Sequence, residues 1–467
     1  MEFIVGNKIR VVNANDRMKR YCRNNLMLKN PEYYKKEKMG KWTGNIPREI
    51  ALYEVNGKDL ILPFGTFKEI WNIYPYGNMF RNDIKPYEPF FYESNITLYP
   101  YQEKAVRKAL KARNGVIVMP CGSGKTQTAL QLCCELGGRV LWLTHTQDLL
   151  NQSLNRAKSV FELYNDDYGT ITGGKVNIGE IFTFATVQTM SKIDLTELKD
   201  TFNIIIVDEC HKAIGSPTKV MQFYKVLSNL SARHKYGITA TPKRADGLER
   251  SMYALLGEKI CEISRTEVKN TTCKIEVYPM STGFVPDMSV VLAGDGTLNY
   301  SSLIQNLIHD ESRFDVVSKT VNVMGKGERT LVLANRVEYL ERLHKEFIKN
   351  GGSGICLSGL SNTKTGKEAR KQALKQLNNR EIDCIFATYQ LAKEGLDIPE
   401  LRHLILATPE KDKTTVTQSV GRVGRIAVGK DKGIVVDFID DFGMYIGWWK
   451  KRKNIYKSID CEIIENE

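Results

Sequence analysis

The sequence predicts an α/β protein: two tandem domains with doubly wound parallel sheets, preceded by a small α+β domain. Three observations carry this expectation. At 467 residues the chain exceeds what one hydrophobic core supports. From Ile96 onward, short apolar runs rich in β-branched residues alternate with helix-length segments, the pattern of parallel strands joined by crossover helices. The alternation occurs twice, with a polar stretch between.

In the first series VIVMP (from Val116), VLWLTH (140–145), IGEIFTFAT (178–186), IIIVD (204–208) and YGITAT (236–241) read as strands, because strands buried on both faces form continuous apolar runs. From Leu256 to Thr282 the pattern breaks into polar, β-rich chain, expected to be a hinge. The second series is TLVLAN (330–335), GICLSG (354–359), CIFAT (384–388), HLILAT (403–408) and GIVVDF (433–438). The expected domains are residues 1–92, 93–265 and 266–467, the last with a basic C-terminal tail.

The formal charge of +13 favours polyanionic partners. No apolar run reaches the roughly 20 residues of a membrane span, and MEFIVGNKIR lacks a signal-peptide core, so nucleic acid is expected over membrane. The ten cysteines show no CxxC pair and read as reduced thiols of a cytosolic compartment, not a metal site. From Met1 to Lys41 there are 11 Lys and Arg against 4 Asp and Glu. Within this segment NPEYYKKEKMGKW (30–42) interleaves aromatics with lysines. It reads equally as a surface that grips phosphates while a ring stacks on a base, or as a solvated basic face with core aromatics. WWKKRK (448–453) poses the same choice.

Chemistry enters at VIVMPCGSGKT. Gly122 and Gly124 let the loop curl so that backbone N–H groups and a helix N-terminus face an anion, with Ser123 between them. Lys125 is placed to reach the β/γ-phosphates and the Thr126 hydroxyl to ligate Mg²⁺. Met119 stands where the usual pattern has glycine. In FNIIIVDECHKA, an apolar strand runs into Asp208 and Glu209 at the end where α/β sheets place ligands. Asp208 suits the metal and Glu209 the attacking water. In QSVGRVGR, Arg422 and Arg425 stand three apart, so on a helix both guanidinium groups point toward one side, suited to charge developing on a γ-phosphate.

With these motifs in order, the chain resembles a superfamily 2 helicase with an Asp-Glu-x-His box, from about Ile96 to Phe442. YPYQ with Gln102 resembles the adenine-reading glutamine motif. TATP (239–242) resembles motif III, ATYQLAKEGLDIPEL (387–401) motif V and QSVGRVGR motif VI. The phosphate loop and motif VI are similar to those of the branch with XPB-type translocases and UvsW-like phage helicases; the short basic N-terminal domain makes the chain most similar to the UvsW-like group, and WTGNIPREIALY (42–53) resembles the lead-in of such phage enzymes.

The resemblance implies two RecA-like domains with ATP and Mg²⁺ between them. Gln102 would meet adenine, and Gly395 and Asp397 the nucleotide. Gln418, Arg422 and Arg425 would complete the site on closure. His211, Thr239 and Thr241 would couple the sites. Backbone contacts to DNA would come from Thr144, His145, Thr172, Gly173, Thr186 and Gln188, and from Arg336, Ser358, Gly359 and Thr388, where turn or capping duty is the alternative. The implied activity is ATP-driven unwinding or remodelling of forked or branched DNA, by a monomer in the (host) cytoplasm. An RNA helicase and a restriction-type motor are the alternatives, although no PD…(D/E)xK nuclease arrangement accompanies the motor.

Overall fold

The computed structural model describes residues 1–465 except 85, 215–216, 241, 243–247, 272, 295, 358–363, 394–395, 397, 399 and 428. Thr241, Ser358, Gly359, Gly395 and Asp397 therefore lie outside the described residues. The chain forms two units: Met1–Pro120 with Gly124–Ser264, and Cys121–Ser123 with Arg265–Glu467.

In the first unit an eight-stranded sheet runs, edge to edge, Lys175–Asn177, Tyr168–Thr172, Phe182–Thr186, Val140–Thr144, Ile204–Asp208, His234–Thr239, Asn114–Val118 and Lys259–Glu262. All pairings are parallel except the hairpin Tyr168–Thr172/Lys175–Asn177. The expected strand 178–186 is shorter because Gly179 packs backbone-to-backbone against Gly169. A Cβ at Gly169 would fall 2.1 Å from the Gly179 nitrogen, so those residues turn instead of pairing.

The N-terminal strands form their own sheet, in the order Glu54–Asn56, Asp59–Pro63, Lys8–Val12, Glu2–Val5 and Phe80–Asn82. Its apolar face is not a separate core. Phe3, Ile9, Val11 and Leu62 belong to the same buried cluster as Val116, Leu143, Val207 and Leu256 of the large sheet.

The second unit carries a wholly parallel sheet: Gly354–Leu357, Cys384–Thr388, Thr330–Ala334, His403–Leu406, Lys432–Ile439, Lys274–Ser281 and Glu462–Ile463. Side-chain alternation splits each strand between two cores: Leu331 and Leu333 face one cluster, Val332 and Ala334 the other. The stretch 256–282, expected to be polar, β-rich chain and a hinge, contains two strands and the boundary between the two units at Ser264/Arg265. Lys259–Glu262 edges the first sheet, and Lys274–Ser281 sits inside the second.

In WWKKRK the tryptophans and Arg452 are core, while Lys450 and Lys451 are exposed. Trp448 is 6% and Trp449 8% exposed, Arg452 is 1% exposed, and its Nε donates to Asp437 at 2.7 Å. Tyr456 donates to the same carboxylate at 2.6 Å. No helix among the described residues is long and apolar enough to cross a membrane.

Candidate active site

The strand Asn114–Val118 delivers the loop that ends in the helix Lys125–Leu136. Gly122 (φ 83°) and Gly124 (φ 73°) both take left-handed backbone, which the curl requires and a side chain would strain. Gly124 is also where space is tightest: an added Cβ would fall 2.4 Å from the Gln102 amide nitrogen. Gln102 is buried, and its Oε1 accepts from the Tyr99 N–H at 2.9 Å, capping the helix Pro100–Ala112. The glutamine that resembles an adenine reader thus lies against the phosphate loop. Ser123 is buried, while Lys125 and Thr126 are half-buried at the helix start, with the Thr128 hydroxyl donating back to the Gly124 carbonyl at 3.1 Å.

Two strands away, Ile204–Asp208 brings the acidic pair to the same end of the sheet. Lys125 Nζ lies 3.5 Å from Glu209 Oε1. Glu209 has φ +47°, a costly conformation for a residue with a Cβ, and such outliers gather at functional sites. Its N–H donates to Asp208 Oδ1 at 2.9 Å. His211 Nδ1 lies 3.2 Å from Glu209 Oε2 and 2.7 Å from the Thr239 hydroxyl, joining the acidic turn to the end of the strand His234–Thr239.

Burial, reinforced by the charge of Glu209, pushes the Asp208 carboxyl up to about 6. Burial would also raise Glu209, but the Lys125 ammonium, followed by His211, outweighs it and holds that carboxyl well below its usual range. The pair titrates as a unit, with the Lys125 ammonium beside Glu209.

Ser153, absent from the sequence reading, donates its hydroxyl to Asp208 Oδ2 at 3.4 Å. It sits on an ordinary amphipathic helix, Gln147–Val160, whose pattern carries no chemical signature. The residues present fit a magnesium-bound triphosphate: a glycine loop at a helix N-terminus, a lysine, a helix-start threonine and a buried carboxylate.

The backbone-contact candidates of this unit mostly serve local turns. Thr144 donates to the Thr146 carbonyl at 2.9 Å, and Gln188 to the His145 carbonyl at 2.9 Å. Thr186 pairs with Thr189 through their hydroxyls at 2.9 Å. Thr172 ends its strand, and Gly173 (φ 60°) begins the hairpin turn with open space around its α-carbon.

In the second unit the helix Lys413–Val423 holds Gln418 and Arg422, but stops at Gly424. Arg425 follows directly after this C-cap. The Arg422 guanidinium donates to the Leu396 and Ala392 carbonyls. Arg336 precedes the helix Val337–Lys349, and the Thr388 hydroxyl accepts from the Leu391 N–H at 3.2 Å as a cap.

Two family descriptions match this chain: "Type III restriction enzyme, res subunit" over residues 95–244 and "Helicase conserved C-terminal domain" over 312–427. The chain belongs to the superfamily 2 helicases. Among the relatives of this helicase, a putative ATP-dependent RNA helicase of Acanthamoeba polyphaga mimivirus is 28% identical, covering 77% of this chain and 68% of that protein. The DNA 3'-5' translocase XPB2 of Sulfurisphaera tokodaii is 25% identical over 73% of this chain and 80% of its own length. Among solved structures, S. cerevisiae Dbp5 bound to RNA and ADP BeF3 matches with TM-score 0.57 at 16% identity, covering 79% of this chain and 90% of that one. That likeness shows the fold: two tandem RecA-like domains, with the small N-terminal sheet added. The activity is ATP-dependent.

Proposed function

We propose that this helicase acts on DNA, using magnesium-bound ATP to move along a strand and to unwind or remodel forks and junctions in replication, recombination or repair. The observation that carries the ATPase part is the meeting of Lys125 and Glu209 at 3.5 Å, where the phosphate loop and the strained acidic turn share one end of the sheet. Lys125 grips the β/γ-phosphates, and Glu209, held anionic, orients and deprotonates the attacking water. Thr126 and Asp208 hold Mg²⁺, which screens phosphate charge when bound. Gln102, Gly122, Ser123 and Gly124 cradle the nucleotide. Gln418, Arg422 and Arg425 are the contribution of the second domain to γ-phosphate charge, and His211 with Thr239 relays the state of Glu209 into the sheet.

The basic surplus supports a nucleic-acid partner, and the likeness to a DNA translocase supports DNA. The domain limits 1–92, 93–265 and 266–467 belong to this proposal, with the N-terminal module as a nucleic-acid contact and a monomer as the working form. An RNA substrate is the second reading, favoured by the name of the mimivirus relative.

Steady-state ATPase assays on matched DNA and RNA single strands, duplex, fork and four-way junction test the proposal. DNA, and forks above single strands, should stimulate most; stronger stimulation by RNA would overturn the substrate assignment. Lys125→Ala should lower turnover by about 100-fold or more. A Lys125→Ala enzyme with normal turnover would reject the site.

A further inference from the structure

One helix touches both the acidic turn and the N-terminal module. Glu249–Leu256 follows Thr239 closely in sequence. On its inner side, Met252 Sδ lies 3.3 Å from the sulfur of Cys210, the residue after Glu209. A Cβ at Gly237 would strike both Cys210 and Leu256, so the helix, the strand His234–Thr239 and the acidic turn are packed without slack. The Leu256 carbonyl accepts from Asn114 at 3.0 Å, at the foot of the strand that feeds the phosphate loop.

The outer side of this helix belongs to the module. A Cβ at Gly65 would fall 2.5 Å from the carbonyl oxygens of Tyr253 and Ala254, so module backbone lies directly on the helix end. Arg250 then forks onto Glu69, its two terminal nitrogens at 2.5 and 2.6 Å from the carboxylate oxygens. The Tyr21 hydroxyl donates to the same carboxylate at 2.6 Å, and Arg250 Nε donates to the Asn25 carbonyl at 3.2 Å. Burial alone would raise the Glu69 carboxyl, but Arg250 and Tyr21 prevail and hold it below its ordinary range. A planar two-pronged pair is directional where a lysine contact is not. A close-packed interior transmits displacement where a loose one would absorb it.

We propose that Glu69, Arg250 and Tyr21 are positioning residues that key the N-terminal module to the catalytic turn through the helix Glu249–Leu256, so that nucleic acid on the module changes ATP turnover at Glu209. This link rests on the reading of the chain as a nucleic-acid-stimulated ATPase. Met252 pressing on Cys210 is the point at which a shift of the helix reaches the catalytic acid.

The test measures ATPase of the full chain with and without a DNA single strand and a fork, for wild type, Glu69→Gln, Arg250→Met and the exchanged pair Glu69→Arg/Arg250→Glu. Unstimulated kcat and KM for ATP should stay unchanged, while the ratio of stimulated to unstimulated kcat falls by about fivefold or more in each single variant. The strand concentration giving half-stimulation should not move, and the exchanged pair should recover part of the ratio. Glu69→Gln keeps the shape and the Tyr21 hydrogen bond, so it decides the matter if Arg250→Met fails to fold. A stimulated wild type with an equally stimulated Glu69→Gln, whatever its melting temperature, overturns the link alone. A wild type indifferent to both DNAs overturns the nucleic-acid reading and the link with it.

Discussion

Two segments of this chain share a composition and end in opposite environments. NPEYYKKEKMGKW and WWKKRK both mix aromatics with lysines. In the first, the helix Pro31–Lys38 buries no residue at all, and Trp42 is 87% exposed. Its two tyrosines are occupied: Tyr34 lies beneath Arg48 at 5.7 Å, and Tyr33 packs edge-on to Tyr34. In the second, the helix Gly443–Ser458 lays both tryptophans into the cores flanking the second sheet, and Arg452 closes a buried pair with Asp437. A basic aromatic run is therefore neither surface nor core by composition. What decides is whether a sheet face lies opposite its apolar stripe.

Breaking the buried side should have the largest effect. Arg452→Met leaves Asp437 without its guanidinium in the core, and removing one partner of such a pair costs about 3–5 kcal/mol. Urea unfolding should show that loss; a midpoint equal to wild type would mean the pair is dispensable.

Lys235 sharpens the contrast from another direction, because this buried cation meets a carbonyl, Leu227 O at 2.7 Å, beneath the Phe64 ring. Burial pulls its pKa down to about 7. Between that value and the ordinary lysine value near 10.4, the unfolded chain binds more protons, so this residue makes stability rise with pH across the window. Lys235→Met should remove that slope and stabilise the fold by up to a few kcal/mol. The gain should be greatest below pH 7, where the lysine is charged in both states, and should shrink toward pH 10. A variant less stable than wild type at pH 6.5 would contradict this.

The smallest expected effect is at the exposed side. Trp42→Ala should leave stability within about 0.5 kcal/mol. It should weaken fork binding by about 1–3 kcal/mol if its ring stacks on a base. Unchanged affinity in a fluorescence anisotropy titration would return this segment to a plain solvated face.

Much of the architecture was legible because fully buried parallel strands write themselves as apolar runs: Ile204–Asp208 and Cys384–Thr388 fall where the runs placed them. The N-terminal module was harder to read, since its short strands alternate polar and apolar residues and its core is completed by residues from the large sheet. Ser153 was invisible because a serine on an amphipathic helix looks the same whether or not a carboxylate lies opposite.

By itself the sequence determined the two-sheet α/β plan, the phosphate loop and the acidic turn, because hydrophobic periodicity and glycine-dependent backbone geometry are local properties. Only tertiary structure decided that Glu209 sits strained beside Lys125, that one tryptophan pair is core while Trp42 is surface, and that Arg250 grips Glu69. Each depends on contacts between residues far apart in the chain, where burial and neighbouring charge, not residue type, set the energy of a group.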